Sequence, residues 1–264
     1  MMKLYKGAVI LLLIGLFFVT GCSLLGIHSG EEKPRQGLLR VGITPNYPPL
    51  IFKADGKYVG AEVDFAYRLG AALKRDVEFL ELGWEELIPA LFTGKIDIIM
   101  SGMSVTDARK IRINFTEPYL QIGLMAAMRS EDASRYSSIQ DILSTTSWVG
   151  VMQNTTGDAF VQKNLPNANR LAFNKIYDAV FALKQKKIDL FIHDVPAVAW
   201  TVSENEASLQ ALWEFLNREH LAWGVRYDDE EFCDTINKIL KGWKTDGTLD
   251  RGLVRWLPYL NRIK

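Results

Sequence analysis

A guanidinium and a set of hydroxyls packed close behind a short apolar run are the first residues in this chain able to do chemistry. They lie in KIDIIMSGMSVTDAR, residues 95–109. Ile96, Ile98, Ile99 and Met100 have the pattern of a strand covered on both faces. Ser101, Gly102, Ser104 and Thr106 then break the run, and Arg109 closes it. In open α/β sheets, ligands sit just beyond the carboxyl ends of the strands. Hydroxyls, a glycine that lets backbone approach, and a forked cation at that position suit a small anion, a carboxylate above all. The same residues also fit a strand, a loop and an ordinary surface arginine.

The elements that must position them recur. ALFTGKIDIIMSG (90–102) and ALKQKKIDLFIHD (182–194) share the frame A-L-x-x-x-K-I-D followed by an apolar strand. Upstream of each lies a similar strand opening, RVGITPNYPP (40–49) and WVGVMQNTTG (148–157). A repeated strand–helix–strand order predicts two related α/β lobes whose strand ends face each other. Chance likeness between buried strands is the competing explanation.

Between these landmarks the pattern predicts a strand at LLRVGIT, ended by Pro45, Pro48 and Pro49. Val63, Ala66 and Leu69 sit at helical spacing within 59–73. DVEFLEL reads as a strand and WEELIPALFTG as a helix leading into the opening stretch. SEDASRYSSIQDIL (130–143) is polar and loop-like, a second α/β set occupies 147–216, and helices follow over 228–244 and 248–258.

The chain has 264 residues, 48% hydrophobic and 23% charged, as expected of one large or two ordinary globular domains. Lys and Arg (31) balance Asp and Glu (31) with no basic block, which argues against a nucleic-acid partner. The three histidines have no ligand-type spacing, so neither a metal site nor a cofactor is expected. Lys3 and Lys6 precede the apolar run AVILLLIGLFFV (8–19), too short for a spanning helix and suited to a secretory signal. Val19-Thr20-Gly21-Cys22 resembles the bacterial lipobox, which predicts a signal peptide over 1–21, lipid on Cys22 and a flexible tether over 22–37. Ser23 in place of an aspartate weakly favours an outer membrane in a Gram-negative cell. With Cys22 lipidated, Cys233 has no disulfide partner and reads as a packing residue.

From about 38 to 258 the chain resembles the family 3 extracellular solute-binding proteins, the polar amino-acid receptors of ABC importers. The matching stretches are RVGITPNYPPL, VGAEVDFA, WEELIPALFTGKIDIIMSGMSVTDARKIRINFTEPY, VGVMQNTTGDAF, KKIDLFIHDVPA and WGVRYDDEEFCDTINKILKGWKTDGTLDRGLVRW, in family order. The resemblance implies the type II periplasmic-binding-protein fold: two α/β lobes joined by two hinge strands and closing on ligand. Lobe one would comprise 38–124 and 222–264, and lobe two 127–219. The hinge would lie at Gly123-Leu124-Met125 and Ala222-Trp223-Gly224.

The resemblance also assigns roles. Arg109 would pair bidentately with the ligand's α-carboxylate, and Asp194 would take its α-ammonium. Ser101, Gly102 and Ser104 would offer hydroxyls or backbone N–H groups to the same ligand. Thr155 and Thr156, where a strand turns into a helix, would bring helix N-terminal N–H groups to the carboxylate from the other lobe; plain helix capping fits them equally. Tyr47 and Trp84 would flank the ligand's side chain. Thr44 stands where cation-binding members usually carry an acid, which argues against lysine, arginine or ornithine. His193 and Asp194 resemble the glutamine-receptor form of this strand end, although Met152 replaces a lysine there and His193 could be purely structural. A monomeric receptor for a neutral, glutamine-like amino acid, held outside the cytoplasm by its lipid and serving an ABC permease, is the expectation. A cyclohexadienyl-dehydratase-like enzyme on the same fold and the ligand-binding module of a sensory system are the alternatives.

Overall fold

The computed structural model describes residues 37–259. The expected signal peptide, the lipidated Cys22 and the tether up to residue 36 lie outside the described residues. Within them, no helix is long and apolar enough to cross a membrane.

Two five-stranded sheets organise the chain, and they share one plan. The first runs Asp76–Glu81, Leu38–Ile43, Ile98–Ile99, Gly224–Arg226, Ile113–Phe115; the second runs Asn169–Phe173, Trp148–Met152, Leu190–Asp194, Leu124–Arg129, Leu209–Leu212. In each, the first three strands are parallel and the last two antiparallel to their neighbours. The parallel strands are joined through helices, Ala61–Leu73 and Leu87–Phe92 in one sheet and Thr156–Asn164 and Ile176–Lys184 in the other. A separate antiparallel pair, Leu120–Ile122 with Glu219–Leu221, lies where the chain passes between the sheets.

The sequence echo is a structural repeat, which rules out chance likeness. Asp97 accepts from the backbone N–H of Arg40 (2.9 Å) and donates its own N–H to the Arg40 carbonyl (2.8 Å). Asp189 does the same with Trp148, at 3.1 and 2.7 Å. Both are paired with arginine, Asp97 with Arg40 (2.6 Å) and Arg75 (3.2 Å), Asp189 with Arg129 (2.9 Å). A buried carboxylate needs such partners to remain charged at tolerable cost. The equivalent glycines Gly42 and Gly150 face the equivalent isoleucines: a Cβ on either would lie 2.3 Å from Cδ1 of Ile96 or Ile188. Packing between strand and returning turn therefore excludes a side chain at both places.

Three details differ from the sequence expectation. The strand at 96–100 is regular only over Ile98–Ile99, although Ile96 and Met100 are also buried. The polar stretch 130–143 is largely helical, as Ser130–Arg135 and Ile139–Leu143. Ser138 and Asp141 form a reciprocal capping box there, a start signal that outweighs the polar composition. The helix expected from Trp84 begins as a 3-10 turn, Trp84–Glu86, before Leu87–Phe92. Trp223, at the expected second crossing, is fully buried against Phe65, Tyr119 and Trp243. Opposite Gly123 and Leu124 stands Asn217, whose Oδ1 accepts from Leu124 N–H (2.8 Å), and Leu216 N–H returns to the Leu124 carbonyl (2.8 Å). Cys233 is buried on helix Glu230–Thr245 and donates to the Phe115 carbonyl, in keeping with a packing role.

Candidate functional site

The strand ends of both sheets converge on one cavity of about 490 Å³, a volume ordinary for a small-molecule site. Every ligand-binding residue expected from the sequence lines it. Thr44, Tyr47, Trp84, Ser101, Gly102, Ser104 and Arg109 come from the first lobe; Met152, Thr155, Thr156, His193 and Asp194 come from the second. This convergence follows from topology, because each group sits at the carboxyl end of a sheet strand or in the segment that follows it.

Arg109 lies on the short helix Asp107–Lys110, capped by Thr106, whose hydroxyl accepts from Arg109 N–H (3.2 Å). Its Nη1 donates to the Ser104 carbonyl (2.8 Å), and the guanidinium stacks over the Trp84 ring at 5.1 Å. Burial pulls its pKa below the ordinary value, while Asp194 and then Glu219 oppose that pull; an arginine stays cationic throughout. The loop carrying Ser104 is held against the crossing strand by Val105 N–H to the His220 carbonyl (2.8 Å).

Asp194 ends strand Leu190–Asp194 and is buried. Tyr47, from the other lobe, donates its hydroxyl to Asp194 Oδ2 at 2.6 Å. Burial, then the nearby charge of Glu219, raises the Asp194 pKa to about 7, against the opposing influences of Tyr47 and Arg109. Asp194 N–H donates to Nδ1 of His193 (2.6 Å), so Nε2 carries the imidazole's proton. Burial lowers the His193 pKa to about 3, and its ring packs against Tyr47 and Phe191. His193 is thus a neutral wall and no counter-ion for Asp194.

The remaining groups divide by what they already hold. Ser101 Oγ accepts from Thr44 N–H (2.9 Å), and Thr44 Oγ1 donates to the Leu82 carbonyl (2.9 Å). Thr155 caps helix Thr156–Asn164, accepting from Asp158 N–H and donating to the Met152 carbonyl (2.7 Å). Gly102 departs from its expected role. Its N–H donates to Glu62 Oε1 (2.8 Å), so it is turned into the lobe and away from any guest. Glu62 also accepts from Tyr119 (2.7 Å) and Trp223 (2.8 Å), which partly offsets the rise in its pKa that burial causes. Gly102 is required for another reason: it has φ +65°, and a Cβ would meet the Tyr47 ring at 2.7 Å.

Sequence reasoning missed several groups. Glu62 looks like one more helix-surface acid, and nothing local marks it as the buried acceptor behind the site. Phe173, Asn174 and Lys175 close the second lobe's rim, and Glu85 and Glu86 close the first lobe's. Asn46 lines the cavity beside Tyr47. Within the echo, Asn46 and Asn154 occupy equivalent places, a signal that could have flagged both.

A cation from one lobe and a carboxylate from the other, in one cleft with aromatic walls, suit a zwitterion gripped at both ends. The profile of the bacterial extracellular solute-binding proteins, family 3, matches residues 39–259. The "Probable histidine-binding protein" of Campylobacter jejuni is 28% identical over 252 residues, covering 94% of this chain and 96% of that one. Among solved structures, the ancestral amino acid-binding protein AncCDT-1, a precursor of cyclohexadienyl dehydratase, superposes with TM-score 0.78 at 32% identity, over 83% of this chain and 95% of that one. An ancestral arginine-binding protein bound to arginine gives 0.78 at 30% identity, over 84% and 98%; bound to glutamine it gives 0.77 at 31% identity over the same shares. With its two-sheet fold, its interlobe cleft and a match across nearly all the described residues, the chain belongs to the bacterial extracellular solute-binding proteins, family 3.

Proposed function

We propose that this protein is the amino-acid receptor of an ABC importer, closing its two lobes on a zwitterion and delivering it to a membrane permease. The observation that carries this reading is the placement of Arg109 and Asp194 on opposite walls of one buried cleft. Arg109 takes the α-carboxylate with the guanidinium donors that face the cavity, and Asp194 takes the α-ammonium. Neither lobe alone holds both ends, so the guest has the differential affinity for the closed state that any ligand-driven closure requires. Tyr47, Trp84 and Met152 contact the side chain, while the hydroxyls of Ser101, Ser104, Thr155 and Thr156 complete the polar lining.

A neutral amino acid of glutamine-like size is the preferred guest. Thr44 brings no charge to the deep end of the cavity. Glu85 and Glu86 stand at the rim, where Glu85 is bonded to Asn154 and Glu86 to Gly83 N–H. The ancestral arginine-binding protein was solved with both arginine and glutamine, so its own cleft admits either. The dehydratase alternative would use Asp194 as a general acid; the receptor reading uses that carboxylate for the ammonium and requires no turnover. In this reading the lobes are residues 38–124 with 222–264 and residues 127–219. The receptor works as a monomer outside the cytoplasm, held to the membrane by lipid on Cys22 after removal of residues 1–21.

The test is a thermal-shift screen of the twenty amino acids on the 23–264 fragment, with prephenate and arogenate turnover assayed in parallel. A guest at 100 times its dissociation constant stabilises by about 2.7 kcal/mol, so one or a few amino acids should raise the melting temperature. No shift with any amino acid, or turnover of either substrate, would overturn the receptor reading.

A further inference from the structure

The two lobes touch across the cleft through their own side chains, and one residue makes two of these contacts. Asn154 sits at the turn between strand Trp148–Met152 and helix Thr156–Asn164, with φ +57°, in the left-handed region that few residues other than glycine adopt. Asp158 holds it there: Oδ2 accepts from Asn154 N–H (2.9 Å), and Oδ1 is fixed by Arg170 (2.7 Å) and Gln162 (2.9 Å). From this turn Asn154 reaches the opposite lobe. Its carbonyl accepts from Trp84 Nε1 (3.1 Å), and its Nδ2 donates to Glu85 Oε1. On its ring face Trp84 carries the Arg109 guanidinium. A second rim contact, Asn46 Nδ2 to the Asn174 carbonyl (3.0 Å), lies elsewhere on the cleft edge.

We propose that Asn154 is a positioning residue that clasps Trp84 and Glu85 across the cleft mouth, fixing the indole that backs Arg109 and setting how fast a bound amino acid leaves. The proposal rests on the amino-acid reading, because the lobes that carry these contacts meet when a guest is held. The left-handed backbone is what aims both the carbonyl and the amide at the other lobe. Because the contacts form only when the lobes meet, they slow opening without obstructing entry into the open cleft. Dissociation, and not association, is the step they govern.

Asn154→Gly tests this cleanly. Glycine accepts φ +57° without strain, so the turn stays intact and only the bond to Glu85 is lost. Glu85→Ala removes the same bond from the other side. In protein saturated with L-glutamine and labelled with ¹⁵N-tryptophan, the Trp84 indole N–H, assigned through Trp84→Phe, should exchange with water roughly three to ten times faster in both variants, as expected for loss of one rim hydrogen bond. With L-glutamine as probe, stopped-flow fluorescence should show dissociation accelerated by a similar factor and association unchanged within about twofold. Indole exchange unchanged in both variants, or an effect confined to the association rate, would overturn the proposal. If native protein fails to bind L-glutamine, the choice of guest is wrong and both measurements are made with the amino acid that the thermal screen selects.

Discussion

Replacing Asp194 with asparagine should make the ligand-free protein more stable in alkaline solution while disabling its site. Asp194 is 6% exposed, accepts one hydrogen bond from Tyr47, lies beside a neutral histidine, and feels the charge of Glu219 more strongly than that of Arg109. Its carboxyl titrates near 7 in the folded protein, against 3.8 as the ordinary value. Between these two pH values the folded chain retains a proton that the unfolded chain has released, so stability is greatest in acid and declines as pH rises toward 7. At about 1.4 kcal/mol per unit, the full window corresponds to about 4 kcal/mol, of which about 3 lies between pH 5 and pH 8. For a domain of this size that is roughly 6–12 °C in melting temperature. The Asp194→Asn variant has no proton to lose at this position and should lack this component. Calorimetric melting of both proteins at pH 5 and pH 8 isolates it, because titrating groups that do not sense Asp194, the raised Glu62 included, cancel in the difference. Identical pH dependences would mean that Asp194 is not the buried, strained carboxyl described. The same titration predicts proton release when a zwitterion binds near pH 7, visible as a buffer-dependent enthalpy. Affinity should fall about tenfold per pH unit below 7.

Four further substitutions test separate features of the molecule. Arg109→Ala leaves a buried ligand carboxylate unpaired and should weaken amino-acid binding by about 2–5 kcal/mol, read by titration calorimetry; a loss below about threefold removes Arg109 from the site. Glu62→Leu strands the donors of Gly102, Tyr119 and Trp223. It should cost about 3 kcal/mol or more of folding stability, and a urea midpoint unmoved from the native value would deny that acceptor its role. Gly42→Ala and Gly150→Ala place the same methyl against the same atom of Ile96 and Ile188. Both should destabilise by about 1–3 kcal/mol, and a neutral result at one site only would break the equivalence of the two lobes.

Much of the site is legible in the sequence because its chemistry and its scaffold share short segments. The echo around Lys95-Ile96-Asp97 and Lys187-Ile188-Asp189 encodes the strand, the turn and the aspartate that ties neighbouring strands, and each segment ends at the cleft. Arg109 stands out as a cation following small polar residues, and the resemblance supplies Asp194 as its counterpart. What escapes notice depends on tertiary approach. Gly102 N–H is claimed by Glu62 across a separation of 40 residues. No local pattern distinguishes a helix acid that points inward from one in water. Asn217, a residue of loop-like character, makes its contact to Leu124 across 93 residues. Helix at 139–143 is hidden by polar composition, although its capping residues are in plain view.

The central claim is that opposite lobes bind opposite ends of one small guest. A crystal structure with the amino acid selected by the thermal screen tests it most directly. The α-carboxylate should be forked on the Arg109 guanidinium and the α-ammonium within hydrogen-bond distance of Asp194, with Tyr47 and Trp84 against the side chain. Density for the guest with both charged ends on a single lobe, or outside this cleft, would contradict it.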